Sequence, residues 1–372
     1  MLTIKEVKTK KEIKDFIDFP LKLYKGNDYF VPMFYGGEKN IFKADFPFNK
    51  VCDTCFFIAY EDGKVFGRIQ GIIQKPANEK WNQKRVRFTR FDCIDSQEVA
   101  NGLFDKVVNW AKEKGMEEFV GPLGYSDLER EGLLIEGFDQ EQTYEEQYNY
   151  PYYQKLIENY GFEKDVDWVE FQLRVPEVIN EKLIRVGNMM LQRYGLRLYQ
   201  AKTIKEYIRD YVDGVFDLID KCYARLYGTM PLNDEIVAAY VKDFKLLVRV
   251  KDLMLILDKE NKPVGFALMF PSISEAVRKS NGHITIPFLF RFLKAKKKPR
   301  VIDLGLIGVL PEYESKGIAS SMIGLLVNYL KDEGFDHLET NLMLENNAHI
   351  QNTMKNFDKT QNKRRRCFKM NI

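Results

Sequence analysis

In RVIDLGLIGVLPEYESKGIASSMIGLLVNYLKDEG, Arg300 to Gly334, chemistry-bearing residues stand at suggestive spacing. Val301 to Leu310 is apolar and β-rich, as expected of a central strand, and Pro311 ends its pairing. Gly317 then lets the backbone turn closely around a ligand with no Cβ in the way. Ala319, Ser320 and Ser321 keep the first helical turn small. Backbone N–H groups at such a turn have no intrahelical partner and, aided by the helix dipole, can hold a pyrophosphate. Lys316 adds a positive charge beside them. Asp303 is the one acid within the apolar strand run, where burial without partners is costly, so it is either a candidate functional residue or an acid at a strand end facing water. Asp303 and Val309 share strand parity, so both face one side of the sheet unless the strand bulges. The spacing is neither G-x-x-x-x-G-K-[ST] nor G-x-G-x-x-G, so a purine-nucleotide P-loop and a dinucleotide fold are not indicated.

Elements that position these residues repeat along the chain. FFIAYEDGKVFGRIQGII (Phe56 to Ile73) and LMLILDKENKPVGFALMF (Leu253 to Phe270) both read as strand, polar turn, strand. Downstream, VNWAKEKGMEEF from Val108 and VNYLKDEGFDHL from Val327 both read as a helix end, a glycine stop at Gly115 or Gly334, and a new strand. LYKGNDYFVP near Leu23 and LYGTMPLND near Leu226 each follow a helical pattern. From Gly67 to Val108 is 41 positions and from Gly265 to Val327 is 62, so the second copy carries 21 more; Ser274 to Arg300 is the candidate insertion. Two copies of one α/β unit are therefore expected, residues 1–174 and 175–372, each with a mixed sheet.

Bulk properties fit this organisation. The chain has 372 residues, 45% hydrophobic and 30% charged, with a formal net charge of +3. That size suits two domains, and the weak net charge points to no nucleic-acid partner. The basic runs at Lys294 to Arg300 and Lys363 to Cys367 read as solvated faces. No run of about 18 apolar residues occurs, so no membrane span is expected, and a cytoplasmic location is the default. Five cysteines do not make a disulfide framework, and Cys52 and Cys55 read as flanking a buried strand. With three histidines and no second cysteine pair at ligand spacing, no metal is expected.

The stretch ending Val309-x-Pro311 and continuing to Gly317-Ile318-Ala319 resembles motif A of the GCN5-related N-acetyltransferases. LENNAHIQNTMKNF, Leu344 to Phe357, resembles that family's second motif, an asparagine followed by a short helix. The resemblance is best over Leu253 to Ile372, the second copy, and implies two tandem units of an acyl-CoA N-acyltransferase-like α/β fold. It further implies that acetyl-CoA, or another acyl-CoA, enters between two splayed central strands. Its pantetheine would pair with the backbone of Ile307, Gly308 and Val309, and the turn of Lys316, Gly317, Ile318 and Ala319 would hold the pyrophosphate. Asn346, or Asn347, would touch the cofactor from the other side. Asp303 would act as base and N–H groups near Val309 would receive the oxyanion. The implied reaction is acetyl transfer to a small-molecule or peptide amine.

Departures from the pattern keep two other readings open. Glu314 stands where the family has a basic or amide residue, and no tyrosine occurs in Gln351 to Met354, the usual place of its general acid. Tyr313 and His349 read as surface residues. A non-catalytic CoA-binding or interaction protein is one alternative, and an aminoacyl-tRNA-dependent transferase of a related two-unit fold is another. In the first copy Glu98 falls where Gly317 stands, so that copy should not bind CoA, though Asn149 to Phe162 keeps a second-motif-like piece. Between them, Gly121 to Gln147 holds eight acids and one base, Arg130. It reads first as a solvated loop and second as an acidic cleft that attracts a cationic amine.

Overall fold

The structure, a computed structural model, describes all residues except Ile179 and Ser315, and the side chain of His349. The first half runs β1 (Thr3–Glu6), α1 (Lys10–Leu23), α2 (Tyr35–Asn40), β2 (Cys52–Glu61), β3 (Lys64–Gln74), α3 (Lys75–Trp81), β4 (Arg85–Cys93), α4 (Gln97–Glu113), β5 (Glu118–Gly121), β6 (Leu133–Glu136), α5 (Tyr152–Tyr160) and β7 (Glu163–Arg174). The second half runs α6 (Glu181–Tyr194), β8 (Arg197–Tyr199), α7 (Ile204–Tyr223), α8 (Asp234–Leu247), β9 (Leu253–Leu257), β10 (Pro263–Pro271), α9 (Ser274–Arg278), α10 (Ile286–Lys297), β11 (Val301–Val309), α11 (Pro311–Glu314), α12 (Ile318–Glu333), β12 (His337–Thr340), β13 (Met343–Leu344), α13 (Ala348–Thr353) and β14 (Asp358–Asn371).

Both expected hairpins form, β2–β3 and β9–β10, each antiparallel. Asp62 and Gly63 close the first with φ of 48° and 74°, as a tight turn between right-twisted strands requires. Both helix stops also form: Gly115 and Gly334 lie in the left-handed region at 74° and 69°. β4 pairs in parallel with β5 across α4, and β11 with β12 across α12, which repeats one βαβ unit. The candidate insertion contributes α9 and α10 between β10 and β11.

All strands form one mixed sheet in the order β1-β2-β3-β4-β5-β14-β7-β12-β11-β10-β9-β8, with β6 on β14 and β13 on β7. The terminal strands are exchanged. β7, from the first half, pairs with β12, whereas β14, from the second half, pairs with β5. β7 and β14 pair with each other from Asp358–Arg174 to Lys369–Glu163 and fuse the two halves. One core gathers around α4 with Phe88, Leu103 and Phe104, another around α12 with Ile302, Leu304 and Leu326.

The exchange overturns two expectations about charge. Lys363 and Arg365, expected on a solvated face, are fully buried because β14 is an interior strand. The loop from Gly121 to Gln147 is not solvated either: Glu131, Gln142, Thr143 and Glu146 are buried within it. Loop and strand satisfy each other. Lys363 Nζ lies 3.0 Å from Glu146 and 3.1 Å from Glu170, and Arg365 Nε donates to Glu170 at 2.6 Å. Burial alone would raise Glu146, but Lys363 and Arg365 overcome it and bring the carboxyl down to about 2. At Glu170 burial, reinforced by the neighbouring Glu146, prevails over Arg365 and Lys363, and the carboxyl is pushed up to about 7.

Candidate acyl-transfer site

β11 and β12 pair from Val301–His337 to Leu304–Thr340 and then separate. β13 continues on β7 instead, so a gap opens beside the last residues of β11. Asn341 bridges its inner end: its N–H donates to Leu304 O and its Nδ2 to Gly305 O, each at 3.1 Å. The gap matches the expected splay of the two central strands.

The strand does bulge. Leu268 pairs with Leu306 but Met269 with Leu304, leaving Gly305 as the extra residue. Side chains before and after it therefore change sides. Ile302, Leu304 and Val309 pack toward α12, and Leu306 packs toward α7. Asp303 alternates with Ile302 and Leu304, so it faces the α7 side, opposite Val309. The shared-parity expectation fails for this reason.

Asp303 is 3% exposed, and neither of its carboxyl oxygens has a hydrogen-bond partner of normal geometry among the described residues. Burial, reinforced by Glu339 and Glu146, pushes its pKa well above the carboxylate range. Four residues on, the N–H of Ile307 donates to the hydroxyl of Tyr223, and that hydroxyl donates to Ile307 O, both at 3.1 Å. Ile307 therefore turns its polar groups away from β10, and by strand period so does Val309. Gly308 is paired toward β10, and a Cβ there would come within 2.7 Å of the Phe266 ring. Tyr223 ends α7, and burial raises its pKa, so its hydroxyl keeps its proton at neutral pH. The sequence reading missed Tyr223 and Asn341. The only available signal for Tyr223 was its place at the end of a long amphipathic pattern.

Beyond β11, the chain makes the short α11 and then starts α12 at Gly317, whose φ of 75° suits glycine. The first-turn N–H groups from Gly317 to Ser320 lie at this N-terminus. Lys316 Nζ sits 4.3 Å from the Tyr313 ring centre and 5.2 Å from that of Tyr194, so two rings hold the lysine beside the turn. Glu314 is exposed. α6 braces the helix here: Ser321 Oγ donates to Gly187 O at 2.9 Å, and a Cβ on Gly187 would reach 2.9 Å from Ser321 Cα. Asn346 is exposed, while Asn347 caps α13 by accepting from the N–H of Ile350 at 3.3 Å. His349's side chain lies outside the described set.

The first copy has no equivalent turn. Only residues 94–96 separate β4 from α4, against 310–317 between β11 and α12. Its helix is capped by Ser96, so Glu98 falls two residues past the position matching Gly317. The missing length, more than the acid at 98, removes the cradle.

Two further groups approach the site. Asp127, from the acidic loop, lies close enough to raise the pKa of Tyr223 and is itself pushed up to about 6, chiefly by burial. Under α7 and α8 lies an apolar cavity of about 120 Å³, lined by residues that include Tyr211, Val215, Ile219, Phe244, Phe266 and Leu306. Leu306 adjoins Ile307, and Ile219 precedes Tyr223 by one helical turn, so the cavity lies on the α7 face of β11, next to these two residues. Cys52 and Cys55 are buried on β2, and burial raises the Cys52 thiol to about 12, which makes both inert. No group of three or more metal-ligating side chains occurs among the described residues.

Comparison with known proteins agrees with this geometry. Residues 213–355 match the acetyltransferase (GNAT) family. Over 98% of its length the chain is 24% identical to Protein YghO of Escherichia coli (strain K12), covering 94% of that protein. Over 99% of its length it is 21% identical to the bacterial ceramide synthase of Caulobacter vibrioides (strain NA1000 / CB15N), covering 97% of it. Among solved structures, a tandem GNAT protein from the clavulanic acid biosynthesis pathway superposes with a TM-score of 0.56 over 100% of this chain and 98% of that one, at 9% identity. The chain thus has the fold of a tandem GNAT protein, and residues 213–355 of its second half match the acetyltransferase (GNAT) family.

Proposed function

We propose that the second unit transfers an acyl group from acyl-CoA to the amine of a long-chain amino lipid. The observation that carries the transferase reading is the gap beside β11, an unpaired strand edge that leads to the N-terminus of α12; Asp303, buried on the paired part of the same strand, is the acid we assign to it. The cofactor's pyrophosphate would rest on the turn of Lys316, Gly317, Ile318 and Ala319. Its pantetheine would run back along Val309 toward Ile307, with Asn346 at the rim.

The amine nitrogen attacks the thioester carbon, the C–S bond breaks, and CoA leaves as the thiol. The N–H of Val309 supplies a hydrogen bond to the oxyanion, and the Tyr223 hydroxyl, turning from Ile307 O, supplies a second. Asp303 takes the amine's proton. A carboxyl of raised pKa suits this task, because its basicity lies nearer that of the amine. The departing thiolate draws a proton from water.

Two observations favour a lipid acceptor. The apolar cavity at Leu306 suits an alkyl segment of about five carbons, since an apolar cavity of about 150 Å³ holds benzene. The Caulobacter relative is named for ceramide synthesis, and a ceramide is the amide of a fatty acid with a long-chain amino alcohol. Acyl-CoA titrated calorimetrically, followed by thiol release across long-chain and short-chain amines, tests the proposal. Saturable acyl-CoA binding with turnover on long-chain amines is expected; absence of binding overturns the transferase reading, and turnover on short-chain amines alone overturns the lipid reading.

A further inference from the structure

The longest exposed apolar stripe among the described residues lies on α10, which residues 298–300 join to β11. Thr285 caps the helix by accepting from the N–H of Phe288 at 3.3 Å, with Pro287 in its first turn. One face is packed: Phe288 is buried, stacks with Phe292 at 5.6 Å between ring centres, and meets Phe34 edge-on. The opposite face carries Ile286, Leu289, Phe290 and Leu293 at i, i+3, i+4 and i+7, a single helical stripe. Ile286 is 72% exposed, Phe290 70% and Leu293 61%.

No core requirement explains these residues, because Phe288 and Phe292 already seat the helix. Every charge on α10 is positive. Arg291, Lys294 and Lys297 are exposed, and Lys298 and Arg300 follow directly. Apolar side chains in the middle of one face with lysine and arginine at its border are what a bilayer surface selects: rings and branched chains enter the headgroup boundary, and long cationic chains reach back to phosphate. No helix of the described residues is long and apolar enough to cross a membrane, and lying on one makes no such demand.

The geometry points to α10 as an interfacial helix that docks this protein on an anionic bilayer surface. Its attachment adds meaning to the place. Lys296 Nζ donates to the carbonyls of Leu246 at 2.6 Å and Val248 at 3.3 Å, and Val248 lines the apolar cavity under α7 and α8. Leu246 itself is exposed beside the stripe. Docking through α10 therefore brings the wall of that cavity to the bilayer. The inference does not depend on which amine is acylated.

The test is co-sedimentation of the full chain with vesicles of phosphatidylcholine alone and of phosphatidylcholine mixed with phosphatidylglycerol. The wild type should pellet with the mixed vesicles, much less with neutral ones, and less at high salt. Phe290→Ser/Leu293→Ser should lower partitioning at least about tenfold, and Lys294→Glu/Lys297→Glu should lose the anionic preference, about fivefold or more per lysine. Wild-type protein that stays in the supernatant with both vesicles overturns the proposal, as does unchanged pelleting of Phe290→Ser/Leu293→Ser. Sedimentation velocity without lipid decides against a protein partner: a dimer that Phe290→Ser/Leu293→Ser dissolves would also overturn it. Should that double variant fail to fold, Phe290→Trp reads the same contact: its fluorescence should be quenched by brominated phosphatidylglycerol, and absence of quenching counts against docking.

Discussion

The hydroxyl of Tyr223 lies 3.1 Å from both the N–H and the carbonyl oxygen of Ile307, at the edge of β11 where the strands part. One side chain thus satisfies two backbone groups that the missing neighbour strand leaves free. Burial keeps the hydroxyl protonated, so in the proposed reaction it can turn from Ile307 O and donate to the thioester oxygen. Tyr223→Phe should therefore lower kcat on the order of 10²-fold, the usual cost of one oxyanion donor, with the fold intact by circular dichroism. A kcat within about twofold of wild type would show that the hydroxyl serves only to cap the strand.

As the proposed base, Asp303 would combine a functional gain with a stability cost. Its pKa is raised in the folded protein, so the stability it contributes is present below the unfolded carboxylate pKa and is lost as pH rises through the folded value. Asp303→Asn should be at least as stable as wild type near neutral pH, while kcat falls on the order of 10²-fold to 10⁴-fold. The wild-type rate should rise with pH above the ordinary carboxylate range, and the variant should lack that rise. Thermal melts and pH–rate profiles on the same two proteins measure both.

Gly317 is the most specific test of the cradle. Its φ of 75° strains any residue with a Cβ, and a carboxylate there repels a pyrophosphate. Gly317→Glu should abolish acyl-CoA binding in calorimetry. Glu98→Ala should leave binding unchanged, because the first copy has no turn to hold phosphate. Normal binding by Gly317→Glu would put the cofactor elsewhere.

Lys363 is fully buried between Glu146 and Glu170. Lys363→Met leaves two buried carboxylates short of a cation and should cost about 3–5 kcal/mol in denaturant unfolding. A loss under about 1 kcal/mol would mean that Arg365 alone neutralises the pair.

Acid should loosen the same junction. Glu146, brought down to about 2 in the folded protein, contributes stability that is present above its unfolded pKa and is lost as pH falls through about 2. Unfolding free energy followed from neutral pH toward pH 2 should decline more steeply in wild type than in Glu146→Gln. Parallel curves would remove Glu146 from the acid response.

Much of this molecule was legible in the order of its residues. The duplicated hairpins, the two glycine helix stops and the turn at Gly317 depend on nearest-neighbour chemistry, such as side-chain period and the conformational freedom of glycine, so they could be read directly. Asp303 was also legible, because an acid in an apolar strand is expensive wherever the strand ends up. What tertiary structure decided was everything set by partners distant in the chain. The exchange of β7 and β14 turned Lys363 and Arg365 from an expected surface run into a buried lattice with Glu146 and Glu170. A single bulge at Gly305 moved Asp303 to the face opposite Val309, since strand parity holds only while pairing is regular. Tyr223 meets Ile307 across 84 positions, and no local pattern marks that hydroxyl as different from those of the other tyrosines. α10 was visible as apolar and aromatic, but whether its stripe faced a core or the outside depended on Phe288 and Phe292 taking the packed side of the helix.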